Sequence, residues 1–370
     1  MTKAIVVLGG SGNFGRIIVA ALKSEPNARV LIAGRDLARA TAIANEVGGN
    51  GEPLQLDMRS ADLAKVLRSI GASLVIHTAG PFQAQGYRVA RACIRARCHY
   101  LDIADGRGYV AGIRELDREA QVNDVLIVSG ASTLPALSSA VVDRYRSRFA
   151  TIDTIDHAIS SGARPPGLAT MEGVLSYVGK PFNEWRDNRW RTTYGWQDMT
   201  TYRFPGVVGR RWLGACDVPD LELFPVRYAG VRSVAFHAGT GFAATTVGIW
   251  LLSWFVRMGC MRNVGSYASI LRAAALRLQV LGSKWRAMQV TMAGPSAQDV
   301  ATRVRVTWQL SAGSDHGPNI PCFPAIALAR KLIRDEVTVR GAMPCMGLLT
   351  VDEILHAVPG LDIHEREVVE

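Results

Sequence analysis

Gly10, Gly12 and Gly15 stand in the run VLGGSGNFGRIIVAAL, three glycines at a spacing that can hold a diphosphate. The first permits a tight turn, the second lets an anion approach the backbone, and the third lets a helix pack closely on a strand. The backbone around Ser11, Asn13 and Phe14 would then present N–H groups at a helix terminus, where the peptide dipoles favour negative charge. The spacing alone is a weak signal, but it falls directly after the apolar run AIVVL and opens an amphipathic stretch. A second chemical signal follows in LIAGRD. In a dinucleotide-binding sheet the end of the second strand meets the adenosine ribose. A carboxylate there accepts hydrogen bonds from ribose hydroxyls and repels a 2′-phosphate, whereas a guanidinium pairs with that phosphate. Gly34 leaves room and Arg35 supplies the charge, so the expected cofactor is NADP(H) rather than NAD(H). Asp36 comes one residue late for the ribose and suits the N-cap of a helix starting near Leu37.

Two further loops are expected at the same site. Asp57, in LQLDMRS, ends the third strand, and two roles stay open for it: acceptor for the adenine amino group, or cap of a turn. Ala79, Gly80 and Pro81 in HTAGPF make a small, stiff loop expected to meet the ribose and pyrophosphate through its backbone.

These residues need a scaffold that brings strand ends together. Apolar runs near residues 4–8, 29–33, 53–56, 74–77, 99–102 and 125–129 alternate with stretches of helical periodicity. That alternation predicts an α/β fold, a Rossmann-type doubly wound parallel sheet covered on both faces. At 370 residues the chain is long enough for a second domain.

Composition narrows the partners. The net charge is +10, from 42 Lys and Arg against 32 Asp and Glu, yet no block of five or six like charges occurs, so nucleic acid is not expected as a ligand. Six cysteines are scattered without CxxC pairs, which suggests neither a disulfide framework nor a zinc site. The opening residues lack the features of a secretory signal, and a cytoplasmic location is expected, with membrane association as an alternative.

Beyond residue 150 the run TIDTIDHAISSGARPPGLATMEGVLSYV reads as a strand, a Gly/Pro loop and a helix. His157, Arg164 and Glu172 lie where a substrate wall is expected; His157, within an apolar strand, is read first as a core or edge histidine and second as an acid catalyst, and Arg164 is a candidate contact for an anionic substrate group. Residues 182–212 interleave Trp185, Trp190, Trp196 and Trp212 with arginines and are read as a loop or edge region. Residues 239–256, GTGFAATTVGIWLLSWFV, contain no charge and reach the lower limit for a membrane span. The reading preferred is a helix buried in the core or at a subunit interface, with a surface that touches lipid or a lipidic substrate, and a true span, as the alternatives. ATRVRVTWQL alternates polar and apolar residues as a half-buried strand, paired with AMQVTMAG through the PSAQD turn. CFPAIALARKLI reads as a helix.

Residues 79–105, AGPFQAQGYRVARACIRARCHYLDIAD, resemble the AGP(Y/F)…G…V…AC…YxD signature of the saccharopine dehydrogenase-like oxidoreductases. The AGR at 33–35 and the glycine loop at 9–15 resemble the same family's cofactor domain. The resemblance covers about the first 140 residues and implies a bilobal NADP-dependent reductase or dehydrogenase. It places Tyr100 and Asp102 near the cleft as first candidates for catalysis, and the small-residue loop SGASTLPALSS on the nicotinamide side. IADGRGYV departs from the family where relatives often carry an acidic residue, so saccharopine chemistry itself is not implied.

The expectation is therefore an NADP(H)-dependent oxidoreductase acting on a C=O, C=N or C=C bond of a small or lipidic substrate. Its organisation would be a cofactor domain at 1–148, an α+β substrate and dimerisation domain at 149–315, and a helical segment at 316–370 returning to the first domain. A homodimer is expected. A non-catalytic NADP-binding regulator and a membrane-peripheral protein are the alternatives.

Overall fold

The computed structural model describes residues 2–83 and 85–370; Ala84, inside the AGPFQAQG motif, lies outside the described residues. The chain divides into two compact units, one of residues 1–137 and 319–359, the other of residues 138–318 and 360–370.

The first unit is a seven-stranded parallel sheet. Six of its strands are β1 (Lys3–Leu8), β2 (Ala28–Gly34), β3 (Gly51–Gln55), β4 (Ala72–His77), β5 (His99–Asp102) and β6 (Leu126–Ser129), all six where the apolar runs predict them. The central strands are almost wholly apolar because both faces are covered: Val6, Val7, Val30, Ile32, Val75 and Ile76 have no exposed surface. Helix α1 (Asn13–Leu22) follows β1 and buries Gly15, Ile18, Val19 and Leu22, one face at helical spacing. Helix α2 (Leu37–Val47) follows β2.

The order across the sheet is Gly341–Pro344, β6, β5, β4, β1, β2, β3. The chain thus moves outward in one direction from β1 to β3, then returns to the other side of β1 for β4. The seventh strand, Gly341–Pro344, pairs in parallel with β6, Gly341 opposite Leu126. The segment expected at 316–370 to be helical therefore contains this strand. Its helix Phe323–Ile333 is deeply buried in the first unit, while Ile363–Val369 forms a strand of the second unit, opposite Arg303–Ala312.

The second unit is α+β, built on a mixed sheet. Its strands run in the order Thr200–Phe204, Gly209–Ala215, Ser233–Gly239, Thr154–Ser160, Arg286–Pro295, Arg303–Ala312 and Ile363–Val369. The expected pairing of 287–294 with 301–310 is present, antiparallel, with Val290 opposite Trp308. Residues 182–212 follow the edge alternative and not the loop one. They contain the hairpin Pro181–Arg186 with Arg189–Tyr194 and a second pair, Thr200–Phe204 with Gly209–Ala215. The first hairpin turns on Asp187 and Asn188, both at positive φ (52° and 61°), the two-residue turn whose twist matches antiparallel strands.

The uncharged run 239–256 departs from the core reading, one of the two placements expected for it. It forms the helix Ala243–Arg257, but its buried residues are Thr246 and Ser253, while Val247, Leu251, Trp254 and Phe255 are exposed. Within this chain the large side chains are not core.

Candidate cofactor site

The order of the sheet places a crevice at the carboxyl ends of β1 and β4, the switch point where open α/β sheets take their ligands. The loops there are locked to each other. The Gly9 amide donates to the Ala33 carbonyl at 2.9 Å. The Thr78 amide and hydroxyl both donate to the Leu8 carbonyl, at 2.9 and 2.8 Å.

The three glycines are present for different reasons. A Cβ on Gly15 would lie 2.3 Å from the Gly9 carbonyl oxygen and 2.6 Å from Gly10 Cα, and one on Gly10 would lie 2.9 Å from both Ile32 Cγ2 and the Val7 oxygen. Those two positions are dictated by packing within the protein. Gly12 is not: its backbone has φ −80° and ψ 175°, open to any residue, and a Cβ there would meet only the Gly9 oxygen, at 3.1 Å. Gly12 is the N-cap of α1, and no side chain caps the helix. The first-turn amides are thereby left to an external acceptor.

At the end of β2 the chemistry is cationic. Arg35 is exposed and its side chain has no hydrogen bond or ion pair with a described residue. A Cβ on Gly34 would find only Ser11 Oγ, at 3.9 Å, so the space between these two loops is open. Asp36 accepts from the Arg39 amide at 3.0 Å and caps α2, the role its position suggests. Arg39, which sequence reading passed over, sends its guanidinium back to the Ser11 carbonyl at 3.2 Å. The signal that could have found it is its spacing of four from Arg35, one helical turn on.

Asp57 is exposed and accepts from the Arg59 amide at 2.9 Å, the turn-capping role of the two left open. Of the loop Ala79, Gly80 and Pro81, the carbonyls of Ala79 and Pro81 are taken by Gln85 Nε2, at 2.8 and 2.9 Å. The Gly80–Pro81 bond is cis. Gln85 is a second residue missed in the sequence; a glutamine in a loop carries no signal until its partners are known. Phe82 completes the loop by packing edge-on against His77, ring centroids 5.0 Å apart.

Tyr100 and Asp102 are brought together, but neither has exposed surface. The Tyr100 hydroxyl lies 3.1 Å from His77 Nδ1 and 3.1 Å from the Tyr109 hydroxyl. Burial drives the His77 pKa down to about 4, so its ring is neutral at pH 7. Asp102 Oδ1 accepts from the Ala104 amide (3.0 Å), the Ser129 hydroxyl (2.9 Å) and the Gly130 amide (2.8 Å). The Asp102 carbonyl accepts from the Ala131 amide at 2.8 Å. Burial pushes its carboxyl up to about 6, against the pull of the amides of Gly130 and Ala104. Through these bonds Asp102 fixes the SGAS loop after β6. Both side chains are thus interior: Asp102 holds the SGAS loop, and Tyr100 is bonded to His77 and Tyr109.

In the second unit His157 is fully buried in the strand Thr154–Ser160. It lies between Phe224 and Phe236, and burial lowers its pKa to about 4. It is a core histidine. Arg164 is exposed and pairs with Asp315 at 3.1 Å.

The residues present fit a phosphorylated dinucleotide: an uncapped helix N-terminus with an open Gly12 for the diphosphate, and two arginines beside an open Gly34 at the ribose end. The match to a family model agrees. Residues 5–128 match the family described as Saccharopine dehydrogenase NADP binding domain. No curated protein matches the chain. Among solved structures, the apo histidine-tagged saccharopine dehydrogenase (L-Glu forming) from Saccharomyces cerevisiae is 13% identical, covers 99% of this chain and 100% of its own, and has a TM-score of 0.68. GenD2 from gentamicin A biosynthesis, in complex with NAD, is 14% identical over 65% of this chain and 66% of its own, with a TM-score of 0.36. Glycine loop, sheet order and structural likeness converge: the chain has the fold of saccharopine dehydrogenase, and its residues 5–128 match the NADP-binding domain described for that family.

Proposed function

We propose that the protein is an NADP(H)-dependent oxidoreductase transferring hydride to or from a C=O, C=N or C=C bond of a small or lipidic substrate. The observation that carries the reading is the cationic end of β2, where Arg35 has no partner among the described residues and Arg39 leans on the glycine loop at Ser11. Bound NADP(H) supplies the hydride chemistry. The chain's own part is positional. Gly12 and the first turn of α1 hold the diphosphate, and Arg35 with Arg39 hold the 2′-phosphate. The Ala79–Pro81 loop, braced by Gln85, meets the ribose. Asp102 fixes the loop 129–131 beside the nicotinamide, and Tyr100, tied to His77 and Tyr109, stiffens the wall behind it.

The burial of Asp102 and Tyr100 also favours a second reading, an NADP-binding regulator without turnover. Titration of the purified protein with NADPH and NADH, followed by a panel of carbonyl, imine and enoyl compounds, separates the two. The oxidoreductase reading expects NADPH to bind far more tightly than NADH and at least one class of acceptor to be reduced. Equal affinities would remove the 2′-phosphate assignment. Tight NADPH binding with every acceptor class inert would leave the regulator.

A further inference from the structure

The helix Ala243–Arg257 has the reverse of ordinary amphipathicity. Its two buried residues, Thr246 and Ser253, stand two turns apart. Thr246 Oγ1 accepts from the Thr240 amide at 3.0 Å. The Ser253 carbonyl oxygen lies where a Cβ on Gly179 would be only 2.3 Å away. The helix is therefore seated on its own unit along Thr246, Ser253 and Val256, with close approach at Gly179, and one stripe of its large residues is left outside. Val247, Leu251, Trp254 and Phe255 are 36–49% exposed and Met258, just beyond, 62%. Their spacing of four, three, one and three residues draws one stripe along the helix. Nine of the nineteen large hydrophobic residues exposed among the described residues lie between positions 247 and 280, a concentration that scattered surface residues do not produce.

Charge says what covers this face. From Leu223 to Gln298 the sequence contains no aspartate or glutamate and eight arginines and lysines. Arg262, Arg277 and Lys284 are exposed and make no ion pair with a described residue. We infer that this surface docks on an anionic lipid bilayer, the apolar stripe entering the headgroup boundary and the cations meeting acidic headgroups. A second copy of the chain would bring the same cations face to face across a twofold axis, whereas an anionic surface complements them. The docking is peripheral. A helix of 15 residues is about 22 Å long, short of the roughly 30 Å of a hydrocarbon core, and no helix of the described residues is long and apolar enough to cross a membrane. The proposal does not depend on the oxidoreductase reading.

The test is flotation of the full-length protein with vesicles of phosphatidylcholine alone or mixed with phosphatidylglycerol. The protein should float with the mixed vesicles, much less with the neutral ones, and less again as salt is raised from about 0.1 to about 0.5 M, where screening tightens. Leu251→Ser with Phe255→Ser should weaken partitioning at least tenfold, since each side chain loses apolar burial. Arg262→Ala and Arg277→Ala should each weaken it about fivefold. NADPH affinity, a property of the other unit, should stay unchanged and reports that each variant is folded. Should the serine variant fail to fold, the arginine variants carry the test, since both positions are exposed. Failure of the protein to float, flotation indifferent to phosphatidylglycerol, or folded variants that float like the parent would overturn the proposal. So would sedimentation showing a dimer that the serine variant converts to monomer, which would assign the face to a second copy.

Discussion

At the scale of single residues, two arginines and one aspartate carry the most information. A charge-assisted hydrogen bond contributes about 1.5–3 kcal/mol, so Arg35→Ala should cut the preference for NADPH over NADH roughly ten- to hundredfold. Arg39→Ala should do the same in smaller measure, because its guanidinium also holds the Ser11 carbonyl, and the double variant should bind both cofactors alike. Competition titrations of the four proteins check this; an undiminished preference in the double variant would place the 2′-phosphate elsewhere. Asp102 makes a prediction about stability. Its carboxyl is held at about 6 by burial, against an ordinary 3.8, so the folded state keeps a proton that the unfolded state gives up. The stabilisation from protonation is complete below pH 4 and is lost as pH rises to about 6, on the order of 3 kcal/mol in all. Asp102→Asn cannot titrate yet keeps an oxygen to accept from Ser129, Ala104 and Gly130. Denaturant midpoints should therefore show the parent losing ground to this variant between pH 4 and 6, with no further change to pH 8. A difference independent of pH would mean that Asp102 stays ionised in its loop.

At the scale of elements, the glycine loop separates folding from binding. Gly12→Val should leave circular dichroism and melting nearly unchanged, because the backbone there suits any residue and only one protein atom stands near, while NADPH binding should be lost. Gly15→Ala should instead destabilise the unit, since its Cβ has nowhere to go without moving the loop at Gly9 and Gly10. A folded Gly12→Val protein with full NADPH affinity would take the loop out of the site. The first six strands were legible because each is a local apolar run between turn residues, and the cofactor loops because their chemistry is written in adjacent residues. What was not legible depends on distance. Gly341–Pro344 is a strand of four residues whose partner lies more than two hundred positions earlier, and no local periodicity reports such a pairing. The Asp187–Asn188 turn was present as a hairpin signal, hidden by tryptophans and arginines that read as surface cover. The helix Ala243–Arg257 was found, but hydrophobicity alone does not say whether its large apolar residues face a core, an interface or lipid. Only the close seat at Gly179 shows that the small residues face in. Tyr100 and Asp102 were located by motif, yet their burial could not be read until the strands on either side were placed.

At the scale of the whole molecule, the chain leaves the first unit at residue 137 and comes back at 319, so the cofactor unit is discontinuous. The returning helix Phe323–Ile333 buries Phe323, Ile326, Leu328, Leu332 and Ile333, none more than 7% exposed. At about 1.5–3 kcal/mol for each side chain, its removal would withdraw on the order of 10 kcal/mol, comparable to the entire stability of an ordinary domain. Polar anchors go with it. Arg330 pairs with Glu25 and donates to the Ala21 carbonyl at 3.0 Å, Lys3 Nζ donates to the Leu332 carbonyl at 2.8 Å, and the edge strand Gly341–Pro344 covers β6. A fragment of residues 1–148, although it contains the whole glycine loop, Arg35 and Arg39, should therefore be insoluble or lack a cooperative melting transition, with no measurable NADPH affinity. Residues 1–137 joined through a short flexible linker to 319–359 should melt cooperatively and bind NADPH within about tenfold of the full chain. If the 1–148 fragment folds and binds as well as the full protein, the returning segment is dispensable and the cofactor unit is complete in the first part of the chain.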